Sequence, residues 1–220
     1  MSSLPSPICA IPRPNLRTIQ RATMRYTWRG VLCNKNPFDL ALYPMLLWKE
    51  RPATILEVGS KMGGSALWLW DTCATFGINT RIVSVDINQR AEVDHPRIRF
   101  LQGDGRDLGA TLSDEFMASL PRPLLVIEDA DHHYLTTIGV MRFMDRHLRS
   151  GEYICIEDGI CDSFGNEGNY DGGPNRAIAE FLDGRTDYEI DRHYCDYFGH
   201  NVTWNTNGYI RRLSPAEGRP

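Results

Sequence analysis

Short apolar runs alternate with longer amphipathic segments along most of the chain. Five runs rich in Val, Ile and Leu lie at residues 55–58, 81–86, 98–103, 124–129 and 153–158. Runs of this length are typical of strands buried in a parallel sheet, and the segments between them have helical spacing. Two further strand-like runs, at residues 188–191 and 208–213, are joined by a polar segment without a predicted helix. The pattern predicts an α/β, doubly wound, Rossmann-like fold with a mostly parallel seven-stranded sheet and an antiparallel last pair.

The first 30 residues differ from the rest of the chain. Residues 1–21 contain four prolines and few apolar residues, so we expect an extended arm that is ordered against a neighbouring subunit. This predicts an arm at residues 1–30, a domain at residues 31–220 and a homo-oligomer. Tyr26 and Trp28 come after the proline-rich stretch, and we expect them to pack or to form an interface; covering the cofactor cleft is the alternative.

A glycine-rich turn follows the first predicted strand. Gly59 ends the strand, Gly63 and Gly64 follow, and a predicted helix begins at Ser65. Glycines let the backbone approach a ligand closely, and the helix N-terminus attracts negative groups. A strand, turn and helix of this kind are typical of a nucleotide-like cofactor site. The acid Glu57, two positions before Gly59, distinguishes this turn from the Gly-x-Gly-x-x-Gly motif of dinucleotide enzymes.

Acidic residues end most of the other predicted strands, at the sheet edge where ligands bind in such folds. Asp86 ends the second strand, and its carboxylate can accept hydrogen bonds from both hydroxyls of a ribose; a helix-capping role is the alternative. Asp104 follows Gly103 after the third strand and can lie near the base of the same cofactor.

Three more acids indicate a divalent metal. Asp129, Glu157 and Asp158 follow the fourth and fifth strands, and carboxylates are the ligands that Mg²⁺ prefers. Glu157 and Asp158 point to opposite faces unless the strand breaks there, and ordinary acids of loop ends remain the alternative. Glu128 can take the place of Asp129 if the register differs.

Two histidines follow the fourth strand directly. His132 and His133 lie close behind Asp129 in the sequence. Imidazole ionises near neutral pH, so a histidine next to a metal-bound hydroxyl is a candidate general base. A structural histidine is the alternative.

Composition and charge narrow the class of partner. The chain has 220 residues, a net charge of −4 and no run of basic residues, so we expect a small-molecule substrate and neither nucleic acid nor a membrane surface. No secretory signal, membrane span or Cys-x-x-Cys pair is present in the sequence, and the six cysteines are expected to be reduced in a cytoplasmic protein.

Five segments together resemble the cephalosporin hydroxylase family. These are residues 55–66, 129–134, 153–158, 173–182 and 207–212, which occur in the family's order. Despite its name, that family is similar to S-adenosylmethionine-dependent O-methyltransferases acting on hydroxyls of natural products and sugars. The resemblance covers residues 28–213 and implies a class I methyltransferase fold.

The resemblance also implies roles for single residues. It places Glu57, Gly59, Ser60, Gly63, Gly64 and Ser65 at the amino-acid half of S-adenosylmethionine, with Asp86 at the ribose and Gly103 and Asp104 near the adenine. Asp129 would lie between cofactor and metal, Asp129, Glu157 and Asp158 would bind Mg²⁺, and His132 would take part in catalysis together with Asp129. Lys61 departs from the family pattern and would either reach the cofactor carboxylate or face solvent.

Two other functions remain open. An NAD-dependent oxidoreductase would use Asp86 equally well, although the glycine spacing and the acids argue against it. A non-catalytic partner of another biosynthetic enzyme would keep the fold and the cofactor. We expect the substrate walls in the glycine-rich loop at residues 159–173, predicted to be long and mobile, at Tyr26 and Trp28, and at residues 194–204.

Overall fold

The computed structural model describes residues 4–88 and 90–214. The outermost residues of the predicted arm and domain, 1–3 and 215–220, lie outside this range, as does residue 89. The described part contains eight α-helices: α1 (Arg13–Thr23), α2 (Asp39–Glu50), α3 (Gly64–Thr75), α4 (Asp114–Ser119), α5 (Tyr134–Asp145), α6 (Cys161–Phe164), α7 (Gly173–Leu182) and α8 (Arg192–Cys195). It also contains nine strands: β1 (Thr27–Trp28), β2 (Val31–Leu32), β3 (Thr54–Val58), β4 (Arg81–Asp86), β5 (Ile98–Gln102), β6 (Leu124–Glu128), β7 (Tyr153–Ile156), β8 (Tyr188–Ile190) and β9 (Tyr209–Arg212).

Seven strands form one central sheet in the order β5-β4-β3-β6-β7-β9-β8. The first five strands in this order run parallel to one another, whereas β9 runs antiparallel to both β7 and β8. The predicted seven-stranded sheet with an antiparallel last pair is confirmed. The strands β1 and β2 form a separate antiparallel hairpin that the apolar pattern did not predict, because each has only two residues.

Side chains of the central strands alternate between two apolar layers. Leu56 and Val58 of β3 face the layer of α5 and α7, whereas Ile55 faces the layer of α2 and α3. The same alternation continues through β6 and β7 and places every second residue on each face. Each face therefore has its own buried core, and the carboxyl ends of β3, β4 and β6 meet at one edge.

Part of the predicted extended arm is helical: residues 13–23 form α1, whereas residues 4–12 have neither helix nor strand. Pro12 precedes α1 and Pro14 lies in its first turn, where proline fits a helix because no intrahelical partner is needed for its nitrogen. Leu16 packs with Trp204 in a third apolar cluster, and the side chain of Asn207 donates to the carbonyl of Pro5 at 2.8 Å. The arm is thus fastened to its own chain.

Of two connecting segments, one packs as predicted and the other has more regular structure than predicted. Tyr26 and Trp28 pack against the core beside α3, as predicted, and Trp28 donates to Asp71 at 2.7 Å. The segment at residues 159–173 forms α6 and a 3-10 turn (Glu167–Tyr170) instead of an irregular loop. Within the described ranges, no helix combines the length and the apolar character that a membrane crossing requires.

Candidate active site

A cavity of about 470 Å³ lies at the carboxyl ends of β3, β4 and β6. Of the predicted site residues, these line it: Gly59, Ser60, Lys61, Ser65, Asp86, Gly103, Asp104, Asp129, His132 and Asp158. Helix α1 closes one side through Gln20 and Thr23, together with Met24, which follows the helix directly. The sheet edge therefore brings most of the predicted residues to one place.

The turn after β3 has a tightly constrained backbone. Gly59 has a φ of 107°, and a Cβ there would lie 2.0 Å from the carbonyl oxygen of Asp129, so only glycine fits between β3 and β6. Lys61 follows with a φ of 45°, and its backbone N–H donates to Asp86 at 2.8 Å. The turn is thereby tied to the end of β4, and it presents its backbone to the cavity.

Glu57 does not reach the cavity. It lies between Leu56 and Val58 on β3, so strand alternation turns it towards α3, and its two carboxylate oxygens accept hydrogen bonds from Ser65 and Ser84. Burial raises the pKa of this carboxyl, and the two serine hydroxyls partly offset the increase. Glu57 therefore supports the turn from beneath, through its hydrogen bond with Ser65, and its contact with a cofactor stays a prediction.

Two of the predicted cofactor glycines are also behind the turn. Gly63 precedes α3 with a φ of 85°, and a Cβ there would lie 2.9 Å from the ring of Phe100. A Cβ on Gly64 would lie 2.2 Å from the carbonyl oxygen of Leu32, so the small size of Gly64 lets the hairpin of β1 and β2 pack on α3. Gly63 and Gly64 do not line the cavity.

Asp86 and Asp104 face the cavity with their carboxylates partly engaged. Asp86 accepts one backbone N–H on each oxygen, from Lys61 at 2.8 Å and from Asn88 at 2.7 Å. Asp104 accepts from the backbone N–H of Arg106 at 2.8 Å. These backbone contacts hold both side chains in place. Because each carboxylate oxygen has two lone pairs, both side chains can still accept hydrogen bonds from a ligand.

Asp129, His132 and Asp158 form a compact cluster at the inner end of the cavity. One ligand atom from each of the three residues lies within 4.8 Å of the other two. His132 Nδ1 lies 3.1 Å from an Asp158 oxygen. Burial alone would lower the pKa of His132, but Asp158 and Asp129 raise it above its ordinary value.

Glu157 is not part of this cluster, in contrast to the predicted metal set. Alternation continues to the end of β7, so Glu157 faces α2, and only Asp158, with a φ of 57°, turns towards the cavity. Tyr43 donates to one Glu157 oxygen at 2.6 Å, and Lys35 Nζ lies 2.5 Å from the other. Glu128, the alternative to Asp129 if the register differed, does not line the cavity either, because it is buried against Thr137 of α5.

Lys35 is a site residue that the sequence did not reveal. Its side chain is 2% exposed, and Nζ bridges Glu157 and Asp129, the latter at 2.7 Å. Burial lowers the pKa of the Lys35 ammonium, but the two carboxylates outweigh burial and raise the pKa well above its ordinary value. A fixed positive charge therefore lies directly behind the cluster. Lys35 lies in an aperiodic loop, and no pattern connects it with residues so far along the chain.

A second cavity of about 440 Å³ adjoins the first, and both are lined by His132 and Asp158. Its other walls come from α1 and from the segment of α6 and the following 3-10 turn, including Phe164 and Tyr170. The 159–173 segment thus lies beside the site, as expected. Of residues 194–204, Trp204 lines the first cavity and holds Gln20 of α1 by a 2.6 Å hydrogen bond.

The chain is similar in sequence to a family and to proteins that are named for their activity. The family model described as Rhamnosyl O-methyltransferase/CmcI matches residues 20–213. The rhamnosyl O-methyltransferase of Mycobacterium leprae (strain TN) is 28% identical over 196 residues, which cover 84% of this chain and 82% of that protein. The rhamnosyl O-methyltransferase of Mycobacterium tuberculosis (strain ATCC 25618 / H37Rv) is 25% identical, and the match covers 84% of this chain and 78% of that protein.

A solved structure is similar as well. The structure described as "cmcI-D160 Mg-SAM" has a TM-score of 0.69 and 28% sequence identity to this chain. The match covers 86% of this chain and 77% of that one. The likeness thus extends over most of both chains.

Proposed function

Because the chain belongs to the rhamnosyl O-methyltransferase/CmcI family, we propose that it is an O-methyltransferase using S-adenosylmethionine and Mg²⁺. The acceptor is a hydroxyl group of a small, sugar-like or natural-product molecule, since the relatives named above are rhamnosyl O-methyltransferases. One observation carries the proposal: the cluster of Asp129, His132 and Asp158 lies where two cavities meet, so that one can hold the cofactor and the other the acceptor.

The residues of the larger cavity fit S-adenosylmethionine. Asp86 would bind the ribose hydroxyls, and Asp104 would lie near the adenine. Ile87, which is 60% exposed, offers an apolar surface to the base. The amino-acid half would contact the strained turn at Gly59, Ser60 and Lys61, whose backbone faces the cavity. This arrangement supports the predicted division of the cofactor among the strand ends.

The donor set of the cluster fits a divalent cation. Asp129 and Asp158 offer carboxylate oxygens, the ligands that Mg²⁺ prefers, with room for water at the remaining positions. Lys35 balances the charge of Asp129 and Glu157 from behind, so the cluster faces the cavity with limited excess negative charge. In this proposal Asp129 and Asp158 hold the metal, and Glu157 does not.

His132 is the general base of the proposed reaction. When bound, the cofactor supplies an electrophilic methyl group and Mg²⁺ lowers the pKa of the acceptor hydroxyl. Asp158 holds His132 through the 3.1 Å contact at Nδ1, and the other ring nitrogen can then accept the hydroxyl proton. The walls from α1 and α6 orient the acceptor and exclude water from the line of transfer.

The experiment that tests this function follows a labelled methyl group from S-adenosylmethionine to candidate glycosides. We expect transfer that stops on exhaustive chelation and returns with Mg²⁺. Asp158→Asn should abolish metal-dependent turnover while S-adenosylhomocysteine still binds, whereas Glu157→Gln should keep Mg²⁺ binding. Undiminished turnover without any divalent cation would exclude the metal from the reaction.

The same measurements separate the two other functions. Tighter equilibrium binding of NADH than of S-adenosylhomocysteine would favour an oxidoreductase. Binding of S-adenosylhomocysteine without transfer to any acceptor would favour a non-catalytic partner. Family membership and the cluster at the junction of the cavities support catalysis by methyl transfer.

A further inference from the structure

The smaller cavity is lined by two basic residues as well as by part of the cluster. Arg17 and Arg21 of α1, both exposed, line it, and four residues of helix bring two side chains onto one face, about 6 Å apart along the axis. His132 and Asp158 line the same cavity. The cavity therefore has both the proposed metal site and a pair of arginines in its walls.

These two arginines lack acidic partners among the residues that the structure describes. Arg21 donates to the hydroxyl of Thr18 at 3.1 Å, and neither Arg17 nor Arg21 has a carboxylate within ion-pair distance. Like charges four residues apart on a helix destabilise it by about 0.2–0.5 kcal/mol per pair. Helix α1 has no acid in its first turn to offset this cost, and the chain as a whole carries a net charge of −4. A local excess of positive charge at a cavity is the arrangement that binds an anion.

The side walls of the same cavity suit a ring. Tyr170 packs edge-on against His132 with their ring centres 5.6 Å apart, and Phe164 lies on the side of α6. Aromatic side chains bind the apolar face of a ring while its hydroxyls remain directed towards polar groups. Two acids of the same segment, Asp162 and Glu167, do not line the cavity, although their charges reach Cys161, which does.

Building on the proposed function, we infer that the acceptor is an acidic glycoside: a hydroxylated ring with a carboxylate or phosphate group that pairs with Arg17 and Arg21. The hydroxyl to be methylated lies at the end formed by His132 and Asp158, and the negative group lies at the α1 end. Arg17 and Arg21 thereby determine which acceptor enters and how it is oriented.

Three matched probes test this inference by binding, without need for turnover. They are p-nitrophenyl β-glucuronide, p-nitrophenyl β-glucoside 6-phosphate and the neutral p-nitrophenyl β-glucoside, each titrated calorimetrically into the protein with S-adenosylhomocysteine and Mg²⁺. We expect at least one anionic probe to bind about tenfold more tightly than the neutral glucoside, as two charge-assisted contacts allow. Comparing the affinities of the glucuronide and of the glucoside 6-phosphate shows whether a carboxylate or a phosphate is preferred.

Variants assign the preference to the two arginines. In Arg17→Gln/Arg21→Gln the anionic and neutral probes should bind equally, and the affinity for S-adenosylhomocysteine should not change. Arg25→Gln is the matched control, because Arg25 is exposed, lies just past the end of α1, donates from its side chain to the backbone carbonyl of Arg21 and does not line the cavity. Its preference should equal that of the wild type.

Several results would overturn the inference. They are equal binding of all three probes, binding of none of them, or an anion preference that survives the double substitution. If the wild type methylates neutral glycosides yet shows no anion preference, the acceptor class is wrong and the methyltransferase function stands. If S-adenosylhomocysteine itself does not bind, the proposed function fails instead.

Discussion

Four non-glycine residues that line the larger cavity have a left-handed backbone. Asn34, Lys61, His132 and Asp158 have φ values of 49°, 45°, 60° and 57°. Each such residue costs about 1–3 kcal/mol, and strained positions of this kind concentrate at ligand sites. Substitutions that test their side chains should therefore tolerate the left-handed region, as asparagine does. Asn is the replacement of choice at residues 132 and 158.

The first prediction separates the two roles open to His132. If His132 is the base, His132→Asn should lower turnover at neutral pH by about 10²–10⁴-fold, the usual contribution of a general base, with Mg²⁺ affinity nearly unchanged. Single-turnover kinetics and Mg²⁺ titration by calorimetry measure the two quantities. A parallel loss of Mg²⁺ binding and of turnover would instead make His132 a metal ligand.

The second prediction concerns the buried charges behind the cluster. Lys35→Met leaves Glu157 in the core without its cation, and breaking a buried pair costs about 3–5 kcal/mol. Denaturant unfolding should show a loss of that order. Glu157→Gln added to Lys35→Met should recover part of the loss, because the unpaired carboxylate is then gone. Strictly additive effects in this double-mutant cycle would show that the pair is not coupled.

At the scale of elements, one buried acid joins the start of α2 to the segment before β9. Asp39 is fully buried and accepts hydrogen bonds from Asn36, Thr203, Tyr209 and the backbone N–H of Trp204. Burial raises its pKa, and Thr203, Asn36 and Trp204 offset part of the increase. Since Trp204 also holds α1, the position of the cavity wall depends on this network.

The third prediction follows from that network. Asp39→Ala leaves several buried donors without an acceptor, at about 1–3 kcal/mol for each group, and should lower the unfolding temperature by several degrees. Asp94→Ala is a suitable control, because Asp94 is exposed. Thermal unfolding followed by circular dichroism compares the two variants. Equal stability of both variants would show that Asp39 does not hold these elements together.

The fourth prediction tests the contact between the hairpin and α3. Gly64→Ala places a methyl group 2.2 Å from the carbonyl oxygen of Leu32, so the hairpin must move, and overpacking of this kind costs about 1–3 kcal/mol. Gly168→Ala is the matched control, since a Cβ there meets nothing within 4 Å. The free energy of unfolding should fall only in Gly64→Ala.

For the whole molecule, the sheet could be predicted because its evidence is local. Apolar runs and the polar breaks between them identified all seven strands, and the acids at the strand ends identified the cavity edge. The sequence did not reveal that Glu57 and Glu157 do not line the cavity, because the face that a residue takes depends on where the strand breaks, and the break after β7 occurs at Asp158. Lys35 was missed because its partners are 94 and 122 residues away.

The N-terminal arm shows the limit of composition as a guide. Its prolines fit the start of a helix as well as an extended chain, and only the contacts of Leu16 decide between the two. Because the arm packs on its own chain, it no longer argues for a neighbouring subunit. The homo-oligomer stays a prediction, and light scattering of the purified protein tests it.

The fifth prediction concerns the cysteines of the whole chain. All six are free and buried. Burial raises the pKa of each thiol, to about 11 for Cys73 and to about 12 for Cys33. At pH 8 a thiol with such a pKa is ionised in only about one molecule in a thousand or fewer, and the thiolate is the reactive form. The folded protein should therefore react with a thiol reagent such as Ellman's reagent only slowly, whereas the unfolded protein should release about six equivalents at once. Rapid reaction of one cysteine in the folded state would show that a part of the core opens on the timescale of the assay. Cys161 lines the smaller cavity, so repeating the assay with Cys161→Ala tests whether the opening occurs there.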